Sequence, residues 1–271
     1  MTSPPPPVRM IATDIDGTML RSDGTLSPRV QKALWGAEAA GILVVPATGR
    51  PEPVAEDVIE ELGINHYWVF ANGAITRHLD RGDTVRAFWI DPSVAQGLIV
   101  ELRAEVPGCR FALELERGMA YEPGFAELVP NEPPVPPVDD VLDAFHGRVQ
   151  KVIVFHPELP LDRLYGAAVD SIGDKGVVSY SGLRFLEVGA RLVTKAIALD
   201  ALCGDLGIDP SEVAAFGDNH NDVAMLEWAG RSFAMANGSD DAIAAADAVI
   251  PTSDDDGLAI AVEALIAEAR G

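Results

Sequence analysis

The segment Thr13-Asp14-Ile15-Asp16-Gly17-Thr18 sets two carboxylates two residues apart, directly after an apolar run (Val8, Met10, Ile11, Ala12) that reads as a buried strand. A Gly and a Thr follow at once, so the strand ends in a tight turn. Carboxylates at the C-terminal end of a strand lie at the mouth of an open α/β sheet, where ligands bind. One can attack a phosphorus atom, giving an aspartyl phosphate. The other can hand a proton to the leaving oxygen. Both are hard oxygen donors for Mg²⁺. Taken alone, the motif has a second, weaker reading as a polar turn after a strand.

Three further segments have the same setting. Thr48-Gly49-Arg50 follows the apolar run Ile42 to Val45, and Lys195 opens a helical pattern with Ala196, Leu199 and Leu202. Gly217-Asp218-Asn219-His220-Asn221-Asp222 follows the apolar run Val213 to Phe216. Thr48 can donate its hydroxyl, and Gly49 its backbone N–H, to a phosphate oxygen. Lys195 is a point charge able to reach both a phosphate and Asp14. In this order the motifs D-x-D-G-T, T-G-R, K and G-D-x-x-N-D resemble the four signatures of the haloacid dehalogenase superfamily of phosphotransferases. More closely, they resemble its Cof-type, or subfamily IIB, sugar-phosphatase branch.

The resemblance implies roles. Asp14 would be the nucleophile, and Asp16 the general acid and then the base that activates water. Mg²⁺ would be held by the carboxylate of Asp14, the main-chain carbonyl of Asp16 and Asp218. Asn221 would contact phosphate, and Asp222 would orient its neighbours, Lys195 among them. An Asp at position 16 fits phosphatases and phosphomutases, because dehalogenating and ion-pumping relatives carry another residue there. Ala196 departs from the common form, which has Gly after the lysine, and the stretch before Lys195 matches loosely. Arg50 reads as structural and His220 as an ordinary turn residue. Asp254-Asp255-Asp256 reads as acids favoured at a helix N-terminus, and Asp240-Asp241 likewise.

The elements that must position these residues fall into two rhythms. From the start to about Asn72-Gly73, strands and helices alternate. Ser27-Pro28 is an N-cap with Pro at the first helical position, and Gly41 and Gly63 are helix stops. Near-continuous apolar strands in that alternation mark a parallel sheet covered on both faces. The strand Tyr67 to Phe70 reads as its third member. From about Thr84 strands outnumber helices, with a hairpin turning near Arg117-Gly118 and a Pro-rich loop from Val129 to Val138. Alternation returns at Lys195. Between Asp14 and Thr48 there is room for one helix and one strand only, so an inserted module lies between Thr48 and Lys195. The chain therefore reads as an α/β Rossmann-like parallel core (1–82 and 189–271) carrying an inserted α+β cap (83–188). The resemblance gives that cap as the open sandwich of type C2B.

With 271 residues and 48% hydrophobic content the chain can build a substantial core. A net charge of −22 argues against nucleic acid or an anionic membrane as partner. It also repels phosphate esters at long range, so a phosphate site must be locally positive. The lysines are Lys32, Lys151, Lys175 and Lys195, so one at a motif position carries weight. Cys109 and Cys203 have no metal-like spacing and read as free thiols of a reducing cytoplasm. No apolar run approaches the roughly 18 residues of a membrane span. The opening residues, with Pro4 to Pro7, lack a basic-then-apolar leader pattern and read as a frayed tail.

The leading expectation is a Mg²⁺-dependent phosphatase of small phosphorylated metabolites, sugar phosphates in particular, working through an aspartyl phosphate. One alternative is a phosphomutase of the phosphomannomutase-like type, which would return the phosphoryl group to a sugar. Another is a binding module without catalysis, which should lack Asp14, Asp16 or Lys195. In the cap, Arg117, His156 and Arg184 are substrate-contact candidates by polarity only. Nothing in the sequence sets an oligomeric state.

Overall fold

A computed structural model of the chain describes residues 6–116, 118–129 and 135–270. The first tail residues, Arg117 and the middle of the Pro-rich loop lie outside the described residues. The chain divides into two compact units, one running to Arg86 and resuming at Thr194, the other spanning Ala87–Val193. The limits expected from the sequence are 82/83 and 188/189. A cut at 188 would fall inside a strand, Leu186–Ala190, that pairs without interruption in the second unit.

The first unit begins with β1 (Met10–Thr13), α1 (Pro28–Ala39), β2 (Leu43–Pro46) and α2 (Glu52–Leu62), followed by β3 (Tyr67–Phe70), β4 (Ile75–His78) and β5 (Asp83–Ala87). The second contains α3 (Pro92–Glu105), β6 (Arg110–Leu115), β7 (Met119–Tyr121), β8 (Val149–Phe155), α4 (Leu161–Ile172), β9 (Gly176–Ser179) and β10 (Leu186–Ala190). The first then resumes with α5 (Lys195–Leu206), β11 (Val213–Gly217), α6 (Val223–Trp228), β12 (Arg231–Met235), α7 (Asp240–Ala245), β13 (Ala248–Ile250) and α8 (Gly257–Arg270). None of the described helices is long and apolar enough to cross a membrane.

In the first unit a parallel sheet has the order β13-β12-β11-β1-β2. Its central strands β1 and β11 are buried throughout, as their unbroken apolar runs require. The Ser27 hydroxyl caps α1 by accepting from the Arg29 N–H, and Val30, Ala33, Leu34 and Ala37 form its buried stripe. Thr194 caps α5 in the same way, accepting from Ile197. β1, β2 and β11 run in one direction, so the segments that follow them emerge at one edge of the sheet.

β3 departs from the expected third place in this sheet. It pairs antiparallel with β4, in a separate sheet ordered β3-β4-β5, and is bridged to the end of β2 by an isolated pairing, Ala47 with Val69. The cause lies on β2. Leu43 and Ala47 point their N–H groups at β1, so Val44, Pro46 and Thr48 face β3. The Val44 N–H donates to the Glu38 carboxylate, and Pro46 has no N–H to give. Only Thr48 remains, donating to the Val69 carbonyl at 2.8 Å.

In the second unit an antiparallel sheet has the order β7-β6-β8-β10-β9. One face packs Phe111, Leu113, Val152, Val154, Leu186 and Val188 under α3 and α4. On the other face Ala112, Ile153, Phe155 and Phe185 meet Tyr121 and Phe125. By strand alternation that second face also carries Glu114, Lys151 and Glu187. The Lys151 ammonium lies 2.5 Å from Glu187 and 3.3 Å from Glu114, and both Lys151 and Glu187 are buried.

Candidate active site

Asp14 continues the β1 ladder for one more residue, donating its N–H to the Phe216 carbonyl at 2.9 Å. This fixes where its side chain leaves the sheet. β11 lies beside β1, so Asp218 emerges next to it. Gly17, at φ +77°, takes the turn between them without a side chain. A Cβ there would fall 2.4 Å from Asp218 Oδ2, so glycine is what lets the two loops close on each other. Thr18 donates its hydroxyl to Asp218 Oδ1 at 3.0 Å.

Lys195, the first residue of α5, has no exposed surface. Its ammonium donates to Asp14 Oδ1 at 2.5 Å and to Asp222 Oδ1 at 2.6 Å. The other oxygen of Asp222 accepts the N–H groups of Asp218 and Asn219, each at 3.0 Å. Asp222 is thereby occupied on both oxygens and acts as a brace between Lys195 and the β11 loop.

Asp14, Asp218 and Asp222 each bring one oxygen within 4.8 Å of the others, all three buried. Burial, then the Asp222 charge, pushes Asp218 up to about 7. Burial and Asp222 also hold Asp14 well above the ordinary carboxylate range, against the pull of Lys195. For Lys195 burial works toward neutrality, yet Asp14 and Asp222 outweigh it and keep the ammonium charged. Three buried carboxylates thus share one cation. That imbalance, with hard oxygen donors only, suits a small divalent ion, which would relieve the repulsion that raises Asp14 and Asp218.

Asp16 is set apart from this cluster. Its side chain is 48% exposed and is gripped by Arg50, with Nε donating to Oδ2 at 2.8 Å and Nη2 donating to Oδ1. By sequence alone Arg50 reads as structural. The signal available was position, since Arg50 leaves β2 at the same sheet edge as Asp16 leaves β1. Thr48 is fully buried and accepts the Arg50 N–H at 3.0 Å, which leaves its hydroxyl proton to donate. Gly49 follows, half-buried. Asn221 lies in the turn His220–Asp222 and donates its side-chain N–H to Asn72 Oδ1 at 3.0 Å. Asn237 donates to the Gly17 carbonyl at 2.8 Å and accepts from the Ser253 N–H.

Other candidates take structural places. His156 Nδ1 accepts the N–H groups of Glu158 and Leu159, and its Nε2 faces the Pro107 carbonyl at 3.2 Å. Arg184 is exposed. Asp254 binds Ser22, Asp255 binds Thr252 and Asp256 binds Arg21, so these acids tie down the loop before α8.

A family profile described as haloacid dehalogenase-like hydrolase matches residues 11–262. The phosphatase YwpJ of Bacillus subtilis is 30% identical over 292 residues, covering 93% of this chain and 98% of that protein. A phosphoglycolate phosphatase of Haloarcula marismortui is 28% identical, covering 97% and 98%. A solved haloacid dehalogenase-like hydrolase from B. subtilis superposes with a TM-score of 0.83 at 25% identity, covering 94% and 99%. The profile spans nearly the whole chain and carries every motif described above, so the chain belongs to the haloacid dehalogenase-like hydrolases and is a phosphoric monoester hydrolase.

Proposed function

We propose that this hydrolase depends on Mg²⁺ and cleaves small phosphorylated metabolites, sugar phosphates among them, through an aspartyl phosphate on Asp14. The observation that carries the reading is the buried Lys195 bridging Asp14 and Asp222 beside Asp218. A Asp14 carboxylate oxygen attacks phosphorus while the bond to the leaving oxygen breaks, and Asp16 gives that oxygen its proton. Asp16 then takes a proton from water. The water oxygen bonds to phosphorus, the bond to Asp14 breaks, and inorganic phosphate leaves. Lys195, held charged by its two carboxylates, keeps Asp14 in position and offers positive charge to the phosphate. Thr48, Gly49 and Asn221 receive the remaining phosphate oxygens. Asp14, Asp218 and the Asp16 carbonyl would hold Mg²⁺, which when bound offsets the repulsion between carboxylate and phosphate dianion. The unit Ala87–Val193 is read as the inserted cap, the part of the chain that sets substrate choice.

The test is phosphate release from a panel of phosphorylated metabolites before and after exhaustive chelation. Turnover should vanish with EDTA, return with Mg²⁺, and fail with Ca²⁺, whose larger, looser shell can take both oxygens of Asp14. Full activity in protein shown by metal analysis to be metal-free would overturn the reading.

A further inference from the structure

We infer that Asn72 is a positioning residue for the phosphate pocket, its side-chain oxygen fixing the Asn221 amide while its own turn clamps the Thr48 loop against the start of α5. The inference rests on the reading above that Asn221 and Thr48 contact phosphate.

The turn after β3 is conformationally costly. Ala71, Asn72 and Gly73 have φ of +49°, +55° and +103° in succession. Two of them carry side chains, and left-handed backbone disfavours such residues, Asn least among them. Strain of this kind persists only where its surroundings impose it, and it gathers at functional sites. Here the surroundings are three motif segments. The Ala71 N–H donates to the Arg50 carbonyl at 3.0 Å and the Asn72 N–H to the Thr48 carbonyl at 2.9 Å, so the turn is fastened to the T-G-R loop. Gly73 lies against the cap of α5, where a Cβ would fall 2.3 Å from the Thr194 carbonyl oxygen, one residue before Lys195. The side chain of Asn72 reaches the third segment by accepting from Asn221 Nδ2 at 3.0 Å.

That last bond selects an orientation. An amide has a donor end and an acceptor end, and only the donor end can serve an anion. Asn221 is almost fully buried, and among the described residues its Oδ1 has no hydrogen-bond partner. The bond from Nδ2 is therefore what distinguishes the two flips of the Asn221 amide. Asn72 Oδ1 accepts from Nδ2 and would repel Oδ1. With the NH₂ end so fixed, one of its two hydrogens goes to Asn72 and the other is available to a phosphate oxygen.

The experiment is a double-mutant cycle of Asn72→Gly and Asn221→Ala, read as kcat/KM and as inhibition by inorganic phosphate, with thermal melting of each variant. Glycine accepts the left-handed backbone and removes the side-chain acceptor. Asn72→Gly should lower kcat/KM by about 10-fold and weaken inhibition by phosphate, and the same change made on Asn221→Ala should cost under about 2-fold, because coupled residues are not additive. Should the glycine variant not fold, Asn72→Ala is read in the same cycle. Multiplying losses would mean that Asn72 acts independently of Asn221, and would overturn the inference. So would wild-type kcat/KM in Asn72→Gly beside a loss in Asn221→Ala, with the phosphate reading intact. Wild-type kcat/KM and phosphate inhibition in Asn221→Ala would overturn that reading and the inference with it.

Discussion

The surroundings of Asp14 resist the charge that attack on phosphorus needs, since burial and Asp222 oppose that charge and Lys195 supports it. Replacing Asp14 with Asn keeps the shape and removes both the attacking charge and part of that repulsion. Asp14→Asn should therefore cut turnover by roughly 10⁴-fold or more, the scale on which nucleophile deletions act. The melting temperature of the metal-free variant should be equal to or above that of the parent. Retention of more than a few per cent of activity in a contamination-free preparation would refute the nucleophile assignment. Arg50 invites a second test. Its two-pronged grip holds the Asp16 carboxylate, the proposed acid and base, and small misplacement of such a group can cost about 100-fold. Arg50→Ala and Arg50→Lys should both lower kcat by about 10- to 100-fold, because an ammonium cannot reproduce the fork. Unchanged kcat in both would show that Arg50 only packs. The convergence of Asp14, Asp218 and Lys195 was legible in the sequence because each follows a strand or opens a helix within a recognisable motif. The partner of Arg50 was not, because a salt bridge between two strand-end loops depends on side-chain direction, which spacing does not carry.

At the scale of elements, strand–helix alternation and apolar runs were enough to read the parallel core. They were not enough for β3, whose apolar sequence suits either sheet. What decides its pairing is the donors left on β2, and Pro46 was the readable sign. In the second unit the alternation of β6, β8 and β10 puts Glu114, Lys151 and Glu187 together, a cluster visible only once the strand order is known. Burial, with Glu187 adding to it and Lys151 opposing, pushes Glu114 up from 4.5 to about 7. The folded state thus holds this proton more tightly than the unfolded chain. The stability it contributes is full below about pH 4.5 and is lost as pH rises through 7. Glu114→Gln keeps the neutral form at all pH, and Glu187 still pairs Lys151. Its stability relative to the parent, from denaturant unfolding, should rise between pH 5 and pH 8, by at most ~1.4 kcal/mol per pH unit. A difference that is flat or falls over that range would show that Glu114 stays ionised in the fold.

For the molecule as a whole the governing quantity is the net charge of −22 against a substrate that is itself an anion. Two fields act on an approaching phosphate ester. The near one comes from Lys195 and the ion that the carboxylate cluster is suited to hold. It acts over contact distances in a buried setting, where salt screens little. The far one is the sum of surface carboxylates, and beyond about 8 Å it is largely screened at physiological ionic strength. Adding salt therefore removes more repulsion than attraction. For most acidic enzymes with anionic substrates the direction would depend on which field dominates; here the cation of the site is buried and the excess acids are spread over both units. At fixed free Mg²⁺, kcat/KM for a phosphate ester should increase by about 2- to 5-fold between roughly 0.02 and 0.3 M KCl, in the sense expected when like charges are screened. The increase should come through KM, and it should be steeper for an ester whose leaving group is also negative, such as phosphoglycolate, than for one with a neutral leaving group. A fall in kcat/KM with salt, or an equal response for both esters, would mean that positive charge at the site controls the approach and that the acidic surface has no part in it.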